Sequence, residues 1–473
     1  MRGIIMKKGT SSRKILLCTL LISLAAILLS YLGFVIYFSN HFLFHTEING
    51  IDASGMTVKE LEDVFAQEVA TYTLQLQGRN DVTDSISASD ISMKYTTSDE
   101  ISNLLKKQNQ FLWLGSAFHS TKKDVTHCVS YDEQQLKERC KSLSFLKKEN
   151  IVAPKNATIA YLKNQGYCLV SENAGTKVNK KKLLEQVKEA ILTLEPTLSL
   201  EKEDCYVKPA ITSETPELKN LYEKVQRYAS AEITYTFGKK KVVVDHKKIH
   251  NWITIQNKKF KAKIDQDKVR AYIDTLASTY NTYGRSRTFA ASTGKTATVT
   301  GGDYGWLMDR EQETSSLMKL IKKGAKKKKT PVYAQTAVSH GKTDWGNTYV
   351  EINLSQQHLW YYKNKKLVVD SDFVSGNISK GYDTPQGVYS IMYLERNAIL
   401  GARSNADYRT PVSYWMPFNG GIGMHDATWR SKFGGSIYRT NGSHGCINLP
   451  KAVAATIFEN ISSKTPVICY FDS

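Results

Sequence analysis

Ser443-His444-Gly445-Cys446-Ile447-Asn448, with Met424-His425-Asp426 upstream and seventeen residues between His425 and Ser443, gathers two imidazoles, a thiol and backbone-permissive residues into one segment. A thiol attacks a carbonyl only as thiolate, and a free cysteine ionises near pH ~8.5, so such a site needs a base or a cationic partner at the sulphur. His425 and His444 are the two candidates for a thiolate–imidazolium pair. Gly445 carries no side chain, so the backbone N–H groups of Gly445 and Cys446 can turn toward a developing oxyanion. Asp426, Ser443 or a backbone carbonyl can orient the imidazole. A lone Cys or His is more often a packing residue; the whole constellation points to an activated cysteine.

The residues around this segment predict a C-terminal unit that is mostly β, over 346–473. Tyr349-Val350-Glu351-Ile352-Asn353-Leu354 alternates at period two, Gln357-His358-Leu359-Trp360-Tyr361-Tyr362 is aromatic and strand-like, and Asn364-Lys365 reads as a turn. Pro385, Gly387, Pro411, Pro417, Gly420, Gly421 and Gly423 punctuate the rest. Upstream, Lys326-Lys327-Lys328-Lys329-Thr330-Pro331 reads as a boundary loop.

The middle of the chain is mixed α and β and carries a faint repeat. Tyr131-Asp132 with Leu136, Cys140 and Leu143 resembles Ile264-Asp265 with Val269, Ile273 and Leu276, and Gly175 to Asn179 resembles Gly305 to Asp309, at offsets of 133 and 130 residues. Two α+β copies are expected, over 47–210 and 211–335. Thr57 and Glu60 form a capping box ahead of Val58, Leu61, Val64 and Phe65 at helical spacing. Neither copy holds a catalytic constellation, so spacing, docking to a substrate polymer or packing are the roles left to them.

The N-terminus predicts a single membrane crossing. From Ile15 to Phe38 twenty-four residues carry no charge, behind a basic tail, residues 1–14, with Arg2, Lys7, Lys8, Arg13 and Lys14. As a helix this run spans about 36 Å, enough for a hydrocarbon core of about 30 Å. The basic flank keeps the tail in the cytoplasm and sends the remainder outside. The run exceeds a signal-peptide apolar region and Phe38 to Phe42 offers no small-residue cleavage site, which favours an uncleaved anchor.

The net charge of +19 suits an anionic partner. No zinc-ligand spacing, recognition helix or aromatic RNA signature accompanies it, which argues against nucleic acid and points to acidic lipid or anionic wall polymers. Of seven cysteines, Cys18 lies in the apolar run and Cys446 in the central segment. Cys128, Cys140, Cys168, Cys205 and Cys469 show no paired spacing, and small buried hydrophobes is the reading for most of them, with Cys469 in a buried strand and Cys140 on the apolar side of a helix.

The spacing His425, seventeen residues, Ser443-His444-Gly445-Cys446-Ile447-Asn448 resembles the signature of the L,D-transpeptidase family of peptidoglycan cross-linking enzymes. Tyr382-Asp383-Thr384-Pro385-Gln386-Gly387-Val388-Tyr389 is similar to that family's Thr-Pro-x-Gly-x-Tyr turn, and Trp415-Met416-Pro417-Phe418 to its pocket wall. Ile48 to Met56 and Gly302 to Trp306 are similar to the peptidoglycan-binding domain that precedes the catalytic unit in Gram-positive members. The resemblance implies that Cys446 attacks a tetrapeptide stem at the L-configured diamino residue, expels D-alanine, and passes the acyl group from a thioester to an amine, giving a 3→3 cross-link. It places the proton donor and acceptor at His425, with His444 secondary or orienting, and substrate contacts at Tyr382, Trp415, Met424 and Asn448. It also implies acylation by carbapenems and calls for no metal or organic cofactor. An L,D-carboxypeptidase, with water replacing the amine, and a non-catalytic wall-binding protein are the rival readings; a sortase-like enzyme lacks its upstream Thr-x-Thr-Cys pattern and downstream arginine strand.

Overall fold

A computed structural model of the chain describes residues 11–97, 99–125, 129–401 and 409–472. Arg2, Lys7 and Lys8 of the basic tail, and Cys128, lie outside the described residues. The protein is α+β and multidomain, with one N-terminal apolar helix and a strand-rich C-terminal domain. That helix, α1 (Ser11–Tyr37), holds an apolar stretch, Arg13–Tyr37, long enough to cross a membrane. Two compact units follow from the packing: residues 1–158 with 171–213, and residues 159–170 with 214–473.

In the first unit the predicted capping box is present, with Thr57 and Glu60 each satisfying the other's backbone N–H at the start of α2 (Val58–Thr71). Then come β1 (Thr73–Gln77), β2 (Thr83–Ser87), α3 (Asp99–Lys107), α4 (Glu133–Ser142), α5 (Lys180–Leu192) and β3 (Thr197–Ser199). β1 pairs antiparallel with β2 and parallel with β3. Leu74, Leu76, Leu136, Leu183, Val187 and Ile191 close its core.

The same plan returns in the second unit as α6 (Pro216–Ala229), β4 (Glu232–Phe237), β5 (Lys240–Val244), α7 (Gln266–Tyr280), β6 (Arg287–Ala290), β7 (Thr296–Val299), α8 (Arg310–Lys322) and β8 (Lys326–Lys329). β4 pairs antiparallel with β5 and parallel with β8. The repeated sequence positions turn out to be helix caps. Asp132 and Asp265 each accept two backbone N–H groups at the starts of α4 and α7, while Asn179 and Asp309 cap α5 and α8. The repeat is legible because each copy must start the same helices at the same places.

Lys326–Lys329 is a strand, β8, and not the boundary loop its composition suggested. Lys329 turns inward, where its ammonium meets the buried Glu313 carboxylate at 2.7 and 2.8 Å and Ser316 Oγ at 2.9 Å. A buried charge persists only when paired and hydrogen-bonded, and Glu313 also accepts from Tyr235 Oη at 2.5 Å and the Val332 N–H at 2.6 Å.

The C-terminal domain has two sheets. One runs β11 (Lys366–Asp372), β10 (His358–Lys363), β9 (Tyr349–Asn353), β17 (Pro466–Tyr470), β12 (Gly387–Ser390), in that spatial order. The other runs β13 (Glu395–Leu400), β14 (Thr410–Asn419), β15 (Ile422–Asp426), β16 (Ile447–Leu449). Val350, Ile352, Leu359, Met416, Met424, Ile447 and Leu449 meet between the sheets, with Ala454 and Ile457 of α9 (Lys451–Asn460). The expected alternation of Tyr349 to Leu354 is present, with Val350, Ile352 and Leu354 in this core.

Glu351, on the other face, is buried too, because the hairpin β6–β7 covers that side. Its carboxylate accepts from the Ser292 N–H and Oγ and from Tyr470 Oη, all at 2.8 Å. Phe289, Val299, Tyr304, Trp345, Val388, Ile468 and Tyr470 form one shared core there. Gly301 and Tyr304 continue the join: the Gly301 carbonyl accepts the Val388 N–H at 3.1 Å and the Tyr304 N–H donates to the Val388 carbonyl at 3.0 Å. A Cβ on Gly302, at φ +79°, would overlap the Val388 backbone.

Candidate active site

β14, β15 and β16 carry the site, and their register sorts its residues onto two faces. Trp415 stands opposite His425 and Met416 opposite Met424, while β15 runs parallel to β16 with Met424 beside Ile447 and His425 beside Asn448. Side chains alternate along a strand, so Met416, Met424 and Ile447 enter the core while Trp415, His425 and Asn448 share the other face. Cys446, one residue before β16, belongs to that second face, diagonally next to His425. Met424 is fully buried in the inter-sheet core. The expectation that it touches substrate is corrected by its parity: the residue before His425 must point the opposite way.

The turn before the cysteine is fixed by its backbone. Gly445 sits at φ +112°, a conformation closed to other residues, and a Cβ there would crowd Ile422 at 3.1 Å. Ser443 Oγ donates to the Cys446 carbonyl at 2.6 Å and accepts the Gly445 N–H at 3.0 Å. Ser443 therefore shapes the cysteine turn rather than orienting an imidazole, and the Gly445 N–H is engaged there rather than facing an oxyanion. Buried Thr384 locks the turn from outside, donating to the Gly445 carbonyl at 2.7 Å and accepting the Gly376 N–H at 3.0 Å. The Thr384-Pro385 stretch is thus a support for the nucleophile turn.

Cys446 is 7% exposed and its thiol donates to the Gly421 carbonyl at 3.6 Å. Burial pushes the thiol up to about 11, opposed by the Gly423 backbone N–H aimed at the sulphur. His425 is 2% exposed, and burial pushes its imidazole down to about 4, against the Asp426 backbone carbonyl that favours the cation. His425 Nδ1 lies 3.0 Å from that carbonyl. A carbonyl can only accept, so Nδ1 carries the proton and the ring's lone pair is on Nε2. The resting pair is therefore neutral thiol and neutral imidazole, not the thiolate–imidazolium pair expected from the sequence. The Asp426 carboxylate accepts the Tyr414 N–H at 2.8 Å, so this residue orients His425 through its main chain.

His444 is exposed and packs against Tyr382, with ring centroids 4.7 Å apart, on the outer side of the turn. Two cavities meet at Cys446. One, of about 390 Å³, is lined by Trp415, Glu395, Leu400 and Gly421; the other, of about 220 Å³, by His425, Trp429, Arg430, His444 and Asn448. Trp429 and Arg430 were missed in the sequence, although their place four and five residues after His425 was a signal. Arg430 Nε and Asn448 Oδ1 are buried with no hydrogen-bond partner. Unsatisfied buried polar atoms beside a reactive pair are ready to receive a ligand's polar groups.

A buried thiol, a singly orientated imidazole and two cavities converging on the sulphur define a site suited to acyl transfer between two substrates. Residues 347–469 match the L,D-transpeptidase catalytic domain family, and residues 85–198 and 211–329 match a peptidoglycan-binding domain family. No curated protein matches the chain. Among solved structures, a cysteine-to-serine mutant of Enterococcus faecium L,D-transpeptidase is 31% identical, over 52% of this chain and 97% of that one, with a TM-score of 0.46. The Ldtfm–avibactam carbamoyl enzyme is 32% identical, over 54% of this chain and 100% of that one, with a TM-score of 0.47. The catalytic domain of the E. faecium enzyme acylated by ertapenem is 40% identical, over 26% of this chain and 97% of that one, with a TM-score of 0.24. On the family matches and on sequence identity over the length of these relatives, the chain belongs to the L,D-transpeptidase family.

Proposed function

We propose that this protein is a membrane-anchored enzyme of the outer membrane face that forms 3→3 peptidoglycan cross-links through a thioester on Cys446. The observation that carries this reading is the meeting of two cavities at one buried thiol beside His425. The donor tetrapeptide enters with its scissile carbonyl at Cys446. His425 Nε2 takes the thiol proton as sulphur bonds to the carbonyl carbon, and the same imidazolium returns it to the departing D-alanine nitrogen. Desolvation keeps both groups neutral until the carbonyl arrives, so charge develops only in the transition state.

Arg430 gives the smaller cavity a cation suited to a stem carboxylate, and Glu395 gives the larger one an anion suited to the acceptor amine. That amine attacks the thioester and restores the thiol. Asn448 supplies an amide to the donor, while Trp415 and Tyr382 wall its path. The helix α1 acts as an uncleaved anchor with the tail cytoplasmic, and the two repeats hold the catalytic domain toward wall polymer. Reaction with a carbapenem follows from the same nucleophile, as in the relative described as acylated by ertapenem.

The full chain is to be incubated with disaccharide-tetrapeptides and the products separated by mass spectrometry. Cross-linked dimers with released D-alanine are expected; D-alanine with tripeptides and no dimers would replace this reading with the carboxypeptidase. Turnover by a Cys446→Ala protein equal to the parent would remove Cys446 from the reaction.

A further inference from the structure

We infer that residues 109–119 are a second membrane contact, an apolar shoulder that lies in the outer-leaflet interface beside the exit of α1 and takes lipid as its partner. The inference rests on the reading of α1 as a membrane anchor. Phe111, Leu112, Leu114 and Phe118 are 54%, 60%, 56% and 81% exposed, four large apolar side chains within eight residues. A cluster of that kind on a folded surface marks an interaction site.

The segment is held firmly on its inner side. Trp113 stacks on Phe34 of α1 with ring centroids 4.5 Å apart and lies 5.8 Å from Tyr31, whose hydroxyl donates to the Phe111 carbonyl at 2.8 Å. Gln108 Nε2 donates to the carbonyls of Phe38 and His41 at 2.7 and 2.6 Å, fixing the start of the shoulder against the end of the helix. The apolar face left outward is therefore continuous with the outward face of α1, where Leu32, Phe34 and Ile36 are also exposed.

Depth selects lipid. The apolar stretch of α1 has 25 residues, about 37 Å of helix, against a hydrocarbon core of about 30 Å, so its last ~7 Å lie in the interface. Tyr31, six residues before the helix end, is about 9 Å below it, which places the attached shoulder at the acyl boundary, where aromatic and amphipathic elements settle. Lys106 and Lys107 close α3 directly before the shoulder and suit anionic headgroups.

The test uses the full chain in phosphatidylglycerol–phosphatidylcholine vesicles, with a photoactivatable amino acid placed singly at Phe118, at Ile27 in α1, or at Glu185 on α5 as the water-facing control. Lipid adducts at Phe118 comparable with those at Ile27, and roughly tenfold above Glu185, are expected. Lipid adducts at Ile27 with Phe118 at the Glu185 level would overturn the inference and leave the anchor intact, as would a protein adduct at Phe118. Absence of lipid at Ile27 would remove the anchor reading and this inference with it.

Discussion

His425 and Cys446 face each other as uncharged groups, and this has a measurable consequence in stability. The imidazole is held at about 4 against an ordinary 6.5, because burial opposes its charge. Between those values the unfolded chain binds a proton that the folded chain refuses, so this group's contribution is complete above pH 6.5 and is lost as pH falls toward 4. From pH 7 to pH 5 the loss should be about 2 kcal/mol, and His425→Gln should lack it. Urea unfolding of both proteins at the two pH values checks this; parallel pH slopes would contradict it. Arg430→Met should lower kcat/KM for the tetrapeptide donor by about 10- to 100-fold, the worth of a charge-assisted hydrogen bond, while its unfolding midpoint stays close to the parent's. Steady-state kinetics with donor at fixed acceptor reads it, and an unchanged KM and kcat would remove the carboxylate contact.

Thr384 and Gly302 show how elements outside the signature hold the nucleophile turn. Thr384→Val would leave the Gly445 carbonyl and the Gly376 N–H without their buried partner, at a cost of about 1–3 kcal/mol, and should slow acylation of Cys446 by a carbapenem. Thermal unfolding and stopped-flow acylation measure the two effects. Gly302→Ala forces a Cβ into the Val388 backbone at a left-handed φ, and should destabilise the second unit by about 2 kcal/mol or more. An unchanged Tm would show that the edge joined by Gly301 and Tyr304 is dispensable. These two residues also mark what the sequence could reveal. The helix starts at Asp132, Asn179, Asp265 and Asp309 were legible because capping is local, and so was the Tyr349 to Leu354 strand from its alternation. Lys326–Lys329 was not, since its strand exists through a parallel partner and a buried carboxylate supplied by distant chain. Met424 was misassigned because face parity needs the register, and the neutral state of Cys446 and His425 was hidden because burial is a tertiary quantity.

Across the whole molecule, the apolar helix, the two capped repeats and the two-sheet domain each have an assignable task only if the thiol of Cys446 accepts an acyl group from a wall peptide. The second repeat is joined to the catalytic domain through Glu351, Phe289 and Val388, so the reactive turn is supported by more chain than the domain that carries it. Its central claim is chemical: one cysteine among those described, buried and beside His425, forms the covalent intermediate. Intact-protein mass spectrometry of the full chain quenched during reaction with a disaccharide-tetrapeptide tests it most directly. The account predicts a mass gain equal to the donor less D-alanine, mapped by peptide digestion to Cys446 and absent in Cys446→Ala. No adduct while cross-linked product accumulates, or an adduct that persists in Cys446→Ala, would contradict it.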